Sequence, residues 1–297
     1  MKINSTNLDA LRAGFKTSFQ NGLSQAASQY AQIATYVPST SGSEKYGWLG
    51  QVPNVREWIG DRVVQNLSEH DYEIQNKDFE LTISVKRNHI KDDNLGIYAP
   101  LFQEMGSSVA AHPDMLVFGL LKQGWAKRCY DGQYFFDADH KVLDENGEAQ
   151  SVANTDGGTG RPWFLLCTQR ALKPLIYQER EKFEFVSKDD PRDDNVFNRK
   201  EYVYGVDGRA NVGFGFWQFA WGSKQPLTPE NYEKARAALT GMTGDHGRPL
   251  GLVPDLLLVD PTNEGAGRSI LTSVLVNGGE TNKWANTAKL LMSPWLA

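Results

Sequence analysis

From His70 to Trp125 one stretch constrains everything around it: an alternating strand runs, through a short polar corner, into a long helix with one apolar stripe. Phe79, Leu81, Ile83 and Val85 alternate with Glu80, Thr82, Ser84 and Lys86, the period of a strand covered on one face. Asn76-Lys77-Asp78 carries turn residues, which predicts a β-hairpin over Asp71 to Arg87. A two-stranded ribbon is marginal alone, so its apolar face must lie on something, either another part of this chain or another copy of it.

The corner Asp92-Asp93-Asn94 offers side-chain oxygens and negative charge to a helix start. With no further carboxylates at ligand spacing, these acids read as a cap and not as a divalent-cation site. Ile97, Tyr98, Leu101, Phe102, Met105 and Val109 then recur at steps of three and four. Pro113 predicts a break or kink, with a second helical segment over Asp114 to Gly124.

At 297 residues the chain can bury about three quarters of its unfolded surface, enough for one large core or two smaller ones. Hydrophobic residues at 40% and charged residues at 23% exclude disordered and fibrous classes. Cys129 and Cys167 lack a CxxC spacing, so both are expected to be reduced and structural, as in a protein made in the cytoplasm. The first thirty residues never reach the apolar run of a secretory signal, and the run Leu256 to Val259 is far too short for a bilayer, so no membrane partner is expected. A net charge of −5 argues against tight general binding to nucleic acid, which needs clustered Lys and Arg, but does not exclude a protein that merely encloses DNA.

Leu8, Leu11, Phe15, Phe19, Leu23, Ala26, Tyr30, Ile33 and Val37 predict one amphipathic helix, with Asn7 as its cap, Gly14 and Gly22 as weak points and Pro38 as its end. Its stripe must be covered, by a fold-back onto its own domain or by a neighbouring subunit, and the sequence leaves both open. A Ser/Gly-rich connector from Ser39 to Gly50 leads to a segment bearing Trp48, Trp58 and Ile59. The loop Asn154 to Gly160 lacks the Gly-Lys-Ser/Thr ending of a phosphate cradle. Strands are predicted over Trp163 to Cys167, Leu175 to Tyr177, Phe183 to Val186, Glu201 to Val206 and Asn211 to Trp221. In the last of these Phe214, Phe216, Trp217, Phe219 and Trp221 occupy both faces, which predicts burial on both sides; a sugar-stacking platform would need the rings exposed.

Further on, Thr228-Pro229-Glu230 is a helix start closed by Gly241, Leu256 to Val259 a buried strand, and Gly265 to Leu271 a short helix. A final apolar segment runs from Leu290 to Leu296. The order is an α+β mixture without βαβ alternation.

Catalytic signals are missing from the sequence. His70, His89, His112, His140 and His246 show no HExxH spacing, and there is no GxSxG elbow. Cys129 and His140 suggest a thiol–imidazole pair, but no pattern brings them together and the structural reading prevails. Asp137 with Asp139, or Glu179 with Glu181, cannot be made a glycosidase pair by spacing alone. The expectation is no enzyme, no cofactor and no metal.

The stretches Ile90 to Gly96, Cys129 to His140, Trp163 to Gln178, Tyr204 to Asn211, Gly213 to Gln218 and Gly247 to Gly251 with Pro254 resemble, in order and spacing, the Mu-like prophage major head subunit family. That family groups with tailed-phage capsid proteins of the Hong Kong 97 fold. The resemblance implies an N-terminal arm and connector over 1–66, an extended hairpin loop over 67–93, a peripheral domain with the spine helix over 94–222 and an axial domain over 223–297. It implies a major capsid protein, self-assembling into hexamers and pentamers of an icosahedral shell around dsDNA without sequence-specific binding. Portal, scaffold and maturation protease proteins would be its partners, the virion capsid its place, and the bacterial cytoplasm its site of assembly.

Subunit contacts would come from the hairpin residues Tyr72, Ile74, Lys77, Phe79, Leu81, Ile83 and Val85. The arm would add Leu11, Phe15, Phe19, Leu23 and Tyr30. Lys77, at the loop tip, has no identifiable cross-linking partner. An encapsulin-like nanocompartment shell and a carbohydrate-binding virion component are the alternatives.

Overall fold

Two long strands and one long helix each run through both hydrophobic cores; the computed structural model describes residues 2–47, 49, 72–92, 95–276 and 279–297. Helix α1 (Ser5–Gln25) leads through one 3-10 turn to strands β1 (Ala34–Pro38) and β2 (Ser43–Lys45). Next come β3 (Glu73–Gln75), β4 (Lys77–Lys86), the short helix α2 (Arg87–Lys91) and the long helix α3 (Tyr98–Lys122). β5 (His140–Leu143), β6 (Ala149–Val152), β7 (Thr155–Gly158) and β8 (Trp163–Leu166) precede the long pair β9 (Leu175–Lys188) and β10 (Glu201–Phe214), joined through α4 (Asp194–Arg199). β11 (Ala220–Lys224), α5 (Pro229–Thr240), β12 (Thr243–Gly244), β13 (Arg248–Pro249), β14 (Leu256–Val259), α6 (Glu264–Leu271), β15 (Leu275–Val276), β16 (Glu280–Thr281) and β17 (Lys289–Met292) follow.

The first core lies on a four-stranded sheet ordered β1-β9-β10-β4, with β4 at the edge. Val85, Tyr202, Tyr204 and Val206 on this sheet meet Leu8, Phe15 and Phe19 of α1 and Tyr98, Phe102 and Met105 of α3. Phe15 stacks on Phe102 at 4.3 Å and meets Tyr204 edge-on at 5.2 Å. Burying each such side chain stabilises by about 1.5–3 kcal/mol. The two helices cross closely at Gly22 and Gly106, where an added Cβ would lie 1.8 Å from the Gln103 carbonyl oxygen and 2.0 Å from that of Phe19. Gly22, expected as a weak point, is therefore required by the crossing.

The second core surrounds a sheet ordered β17-β14-β8-β11-β7. β8 and β14 are buried along their full length, as continuous apolar runs demand. α3 crosses from one core to the other, with Val109 in the first and Val117, Phe118 and Leu121 in the second. Packing on both sides of Pro113 holds the helix continuous, against a penalty of about 3 kcal/mol for an interior proline, so the expected break does not occur.

The hairpin expected over Asp71 to Arg87 does not form. β4 lies antiparallel along β10, from Lys77 opposite Ala210 to Lys86 opposite Glu201, while β3 pairs with β2. β10 offers β4 a ladder over all ten of its residues, more backbone bonds than the three-residue β3 could supply. Asn76, expected in the turn, is buried and donates from Nδ2 to Ser39 Oγ and the Ser41 carbonyl. The antiparallel β2–β3 pair is extended by Tyr46 N–H, which donates to the Tyr72 carbonyl at 2.9 Å. Trp48, Trp58, Ile59, His70 and Asp71 lie outside the described residues, as do the expected border at 66/67 and, at 93/94, Asp93 and Asn94.

Other boundaries also move. α1 is capped by Asn4, whose Oδ1 accepts from Asn7 N–H at 2.8 Å, and it ends at Gln25; residues 34–38 form a strand parallel to β9. Asp92 sits at the C-terminal end of α2 and does not cap α3, which begins after Ile97 without a side-chain cap. The strands expected over 175–177 and 183–186 are one strand, and Asn211 to Trp221 divides into the end of β10, a 3-10 turn and the start of β11. The expected border at 222/223 falls inside β11, in a sheet shared with β14 and β17. The helix at Thr228 forms as expected, with Thr228 Oγ1 accepting from Asn231 N–H.

Candidate functional site

The expected contact residues divide by burial. On β4, Val85 is sealed in the first core, Ile83 and Phe79 are half-covered, and Leu81 is 37% exposed. Lys77 is exposed at the strand start. Ile74 is buried against Gly213, and Tyr72 accepts at its hydroxyl from Phe214 N–H at 2.7 Å. In α1, Phe15 and Phe19 are covered by this chain's own α3 and sheet, so the helix folds back on its own subunit and these two rings present nothing to a neighbour. Leu11 is half-buried and Leu23 exposed; Tyr30 lies beyond the helix with its ring 4.8 Å from that of Tyr177.

Where β4 opens toward solvent, it and α3 enclose a cavity of about 330 Å³ lined by Phe79, Leu81, His112, Met115, Phe183 and Trp295. His112 packs edge-on against Phe79 at 4.2 Å and Phe183 at 5.4 Å, and neither ring nitrogen has a hydrogen-bond partner. Burial holds its pKa below the ordinary 6.5. Among the described residues the outer edge of β4, like that of β1 on the far side, has no strand paired to it, and an unpaired edge of this length is a pairing template.

A second constellation was not anticipated. Cys129 and Asp131 share a tight turn in which Cys129 N–H donates to the Gln133 carbonyl at 2.8 Å and Gly132 adopts φ +82°. The Cys129 thiol donates to Asp131 Oδ1 at 3.1 Å, and His140 Nδ1, at the start of β5, lies 2.6 Å from Asp131 Oδ2. The expectation that nothing brings Cys129 and His140 together is thus corrected: the turn and β5 direct both onto one carboxylate. The His140 ring is fully buried and lies flat on Trp217, 3.9 Å between centroids and 7° between planes.

As a nucleophile the thiol is disarmed. Burial pushes its pKa well up and the Asp131 charge adds to the shift, so it stays protonated. Burial alone would raise the Asp131 carboxyl, but the hydrogen bonds it receives from His140, Cys129 and the Gln133 N–H hold it below the usual range. Cys167 is pushed up to about 12 by burial, with the Asp255 carboxylate adding to it.

Phe214, Phe216, Trp217, Phe219 and Trp221 are all buried, which removes the sugar-stacking platform. Among the described residues no helix is long and apolar enough to cross a membrane.

Residues 8–296 match the sequence profile of the Mu-like prophage major head subunit gpT. The major capsid protein of Escherichia phage Mu is 41% identical over the full length of both chains. The major head subunit of the Mu-like prophage FluMu in Haemophilus influenzae is 44% identical, over 88% of this chain and 87% of its own. In three dimensions a subunit of the procapsid of bacteriophage JBD30 superposes with a TM-score of 0.87 and 46% identity, over 99% of this chain and all of that one. The fold is that of a tailed-phage head protein. Within that class, the chain belongs to the family of Mu-like prophage major head subunits.

Proposed function

We propose that copies of this chain build the hexamers and pentamers of an icosahedral head shell that encloses dsDNA, assembled in the bacterial cytoplasm together with portal, scaffold or protease proteins. The full-length agreement with a procapsid subunit carries this reading, because it includes the elements through which copies can meet as well as the cores. The role asks no catalysis of the subunit. Each copy contributes modest contacts at the half-open face of β4, at Lys77, Phe79, Leu81 and Ile83, at the part-buried Tyr72 before β3, and on α1 at the half-buried Leu11 and the exposed Leu23. Closure multiplies such weak contacts into a stable shell. Ile74, Val85, Phe15 and Phe19 serve instead as the buried supports of those surfaces. The net charge of −5 keeps enclosed DNA from adhering tightly to the wall.

Sedimentation of the purified chain tests this reading. Capsomers or larger assemblies are expected at high concentration, and a strict monomer there would count against it.

A further inference from the structure

We propose that Cys129, Asp131 and His140 bind a thiophilic divalent cation, with zinc the fitting ion. Thiolate, carboxylate and imidazole are the donors zinc takes, and one donor atom from each residue lies within 4.8 Å of the other two. A tetrahedral zinc ion, with bonds of about 2.0–2.3 Å, spaces its ligand atoms about 3.3–3.7 Å apart. His140 Nδ1 lies 2.6 Å from Asp131 Oδ2 and Cys129 Sγ 3.1 Å from Asp131 Oδ1, so each donor already sits within about 1 Å of that spacing from one of the two carboxylate oxygens.

The ligands are also held in place. Gly132 fixes the turn that carries Cys129 and Asp131, and Trp217 clamps the imidazole plane. His140 Nε2 is buried without a partner, so the ring's one polar engagement faces the cluster. The Asp131 side chain is 17% exposed, which leaves an approach for the ion and room for water at a fourth position.

The proton balance favours exchange. With His140 in its neutral Nδ1–H form, the thiol proton and the Nδ1 proton both point at one carboxylate, and the group without metal carries one negative charge. Binding Zn²⁺ breaks the S–H bond and releases that proton to solvent, while the ring proton moves from Nδ1 to Nε2. Thiolate, carboxylate and neutral imidazole then hold the ion in a site of zero net charge, and the ion reverses the influence that kept the thiol protonated.

The test uses the full chain stripped with chelator and titrated with Co²⁺ as a spectroscopic stand-in. A thiolate-to-cobalt charge-transfer band is expected to saturate at one ion per chain, with release of one proton, and to vanish on adding Zn²⁺. Cys129→Ser should abolish the band, Asp131→Asn and His140→Gln should weaken binding by about tenfold or more, and Cys167→Ser should leave it unchanged. Because a variant can fail to fold, the unaltered chain supplies a second readout: zinc should raise its melting temperature. No band in the unaltered chain, no zinc-dependent rise in melting temperature, or a band that survives Cys129→Ser, would overturn the proposal.

Discussion

Gly106 lies where α3 passes α1, with Phe19 and Leu23 of α1 against its backbone. A side chain there has no space, so Gly106→Val is expected to destabilise the subunit by about 1–3 kcal/mol, seen as a lower urea midpoint; an unchanged midpoint would refute the close crossing. His112 adds a pH dependence. Its folded pKa lies below the unfolded value, so between the two the unfolded chain binds more protons, and stability falls as pH drops below about 6.5. His112→Leu should remove that part of the slope when unfolding midpoints at pH 7.5 and pH 5.5 are compared. Neither role was legible in the sequence. Gly22 and Gly106 look like ordinary helix-weakening glycines until the partner helix is placed, and His112 sits on a stripe that reads only as core. Cys129 and His140 were visible as residue types, but their meeting depends on a turn and on a strand whose direction no local pattern encodes.

The elements that announced themselves are those with local signals. α5 has its cap, its first-turn proline and acid, and β14 is a continuous apolar run between a proline and Asp260-Pro261. The alternation of Phe79 to Val85 gave the right strand and face. It could not name β10 as the partner, because pairing across more than a hundred residues leaves no mark in either strand alone. That partner changes what a deletion does. Removing Tyr72 to Val85 uncovers Tyr202, Tyr204 and Val206, so the expected outcome is an insoluble or unfolded subunit, read by circular dichroism, and not a folded subunit that fails to assemble. Leu81→Glu is the cleaner probe of the same surface. The side chain is partly exposed, so stability should change by no more than about 0.5 kcal/mol while sedimentation shows assembly lost; full assembly would exclude the β4 face as a contact.

At the scale of the molecule, α3, β9 and β10 couple two cores into one body, with the β4 edge, the cavity beside it and the tip at α4 left open. Phe197 on α4 is 82% exposed. The α+β class was legible in composition and order, whereas the way the two sheets interleave distant segments was not, because pairing partners far apart in the chain leave no local mark. Electron microscopy of the purified chain at high concentration tests the central claim most directly. The account expects ring-shaped capsomers or closed shells, and a field of dispersed single subunits would contradict it.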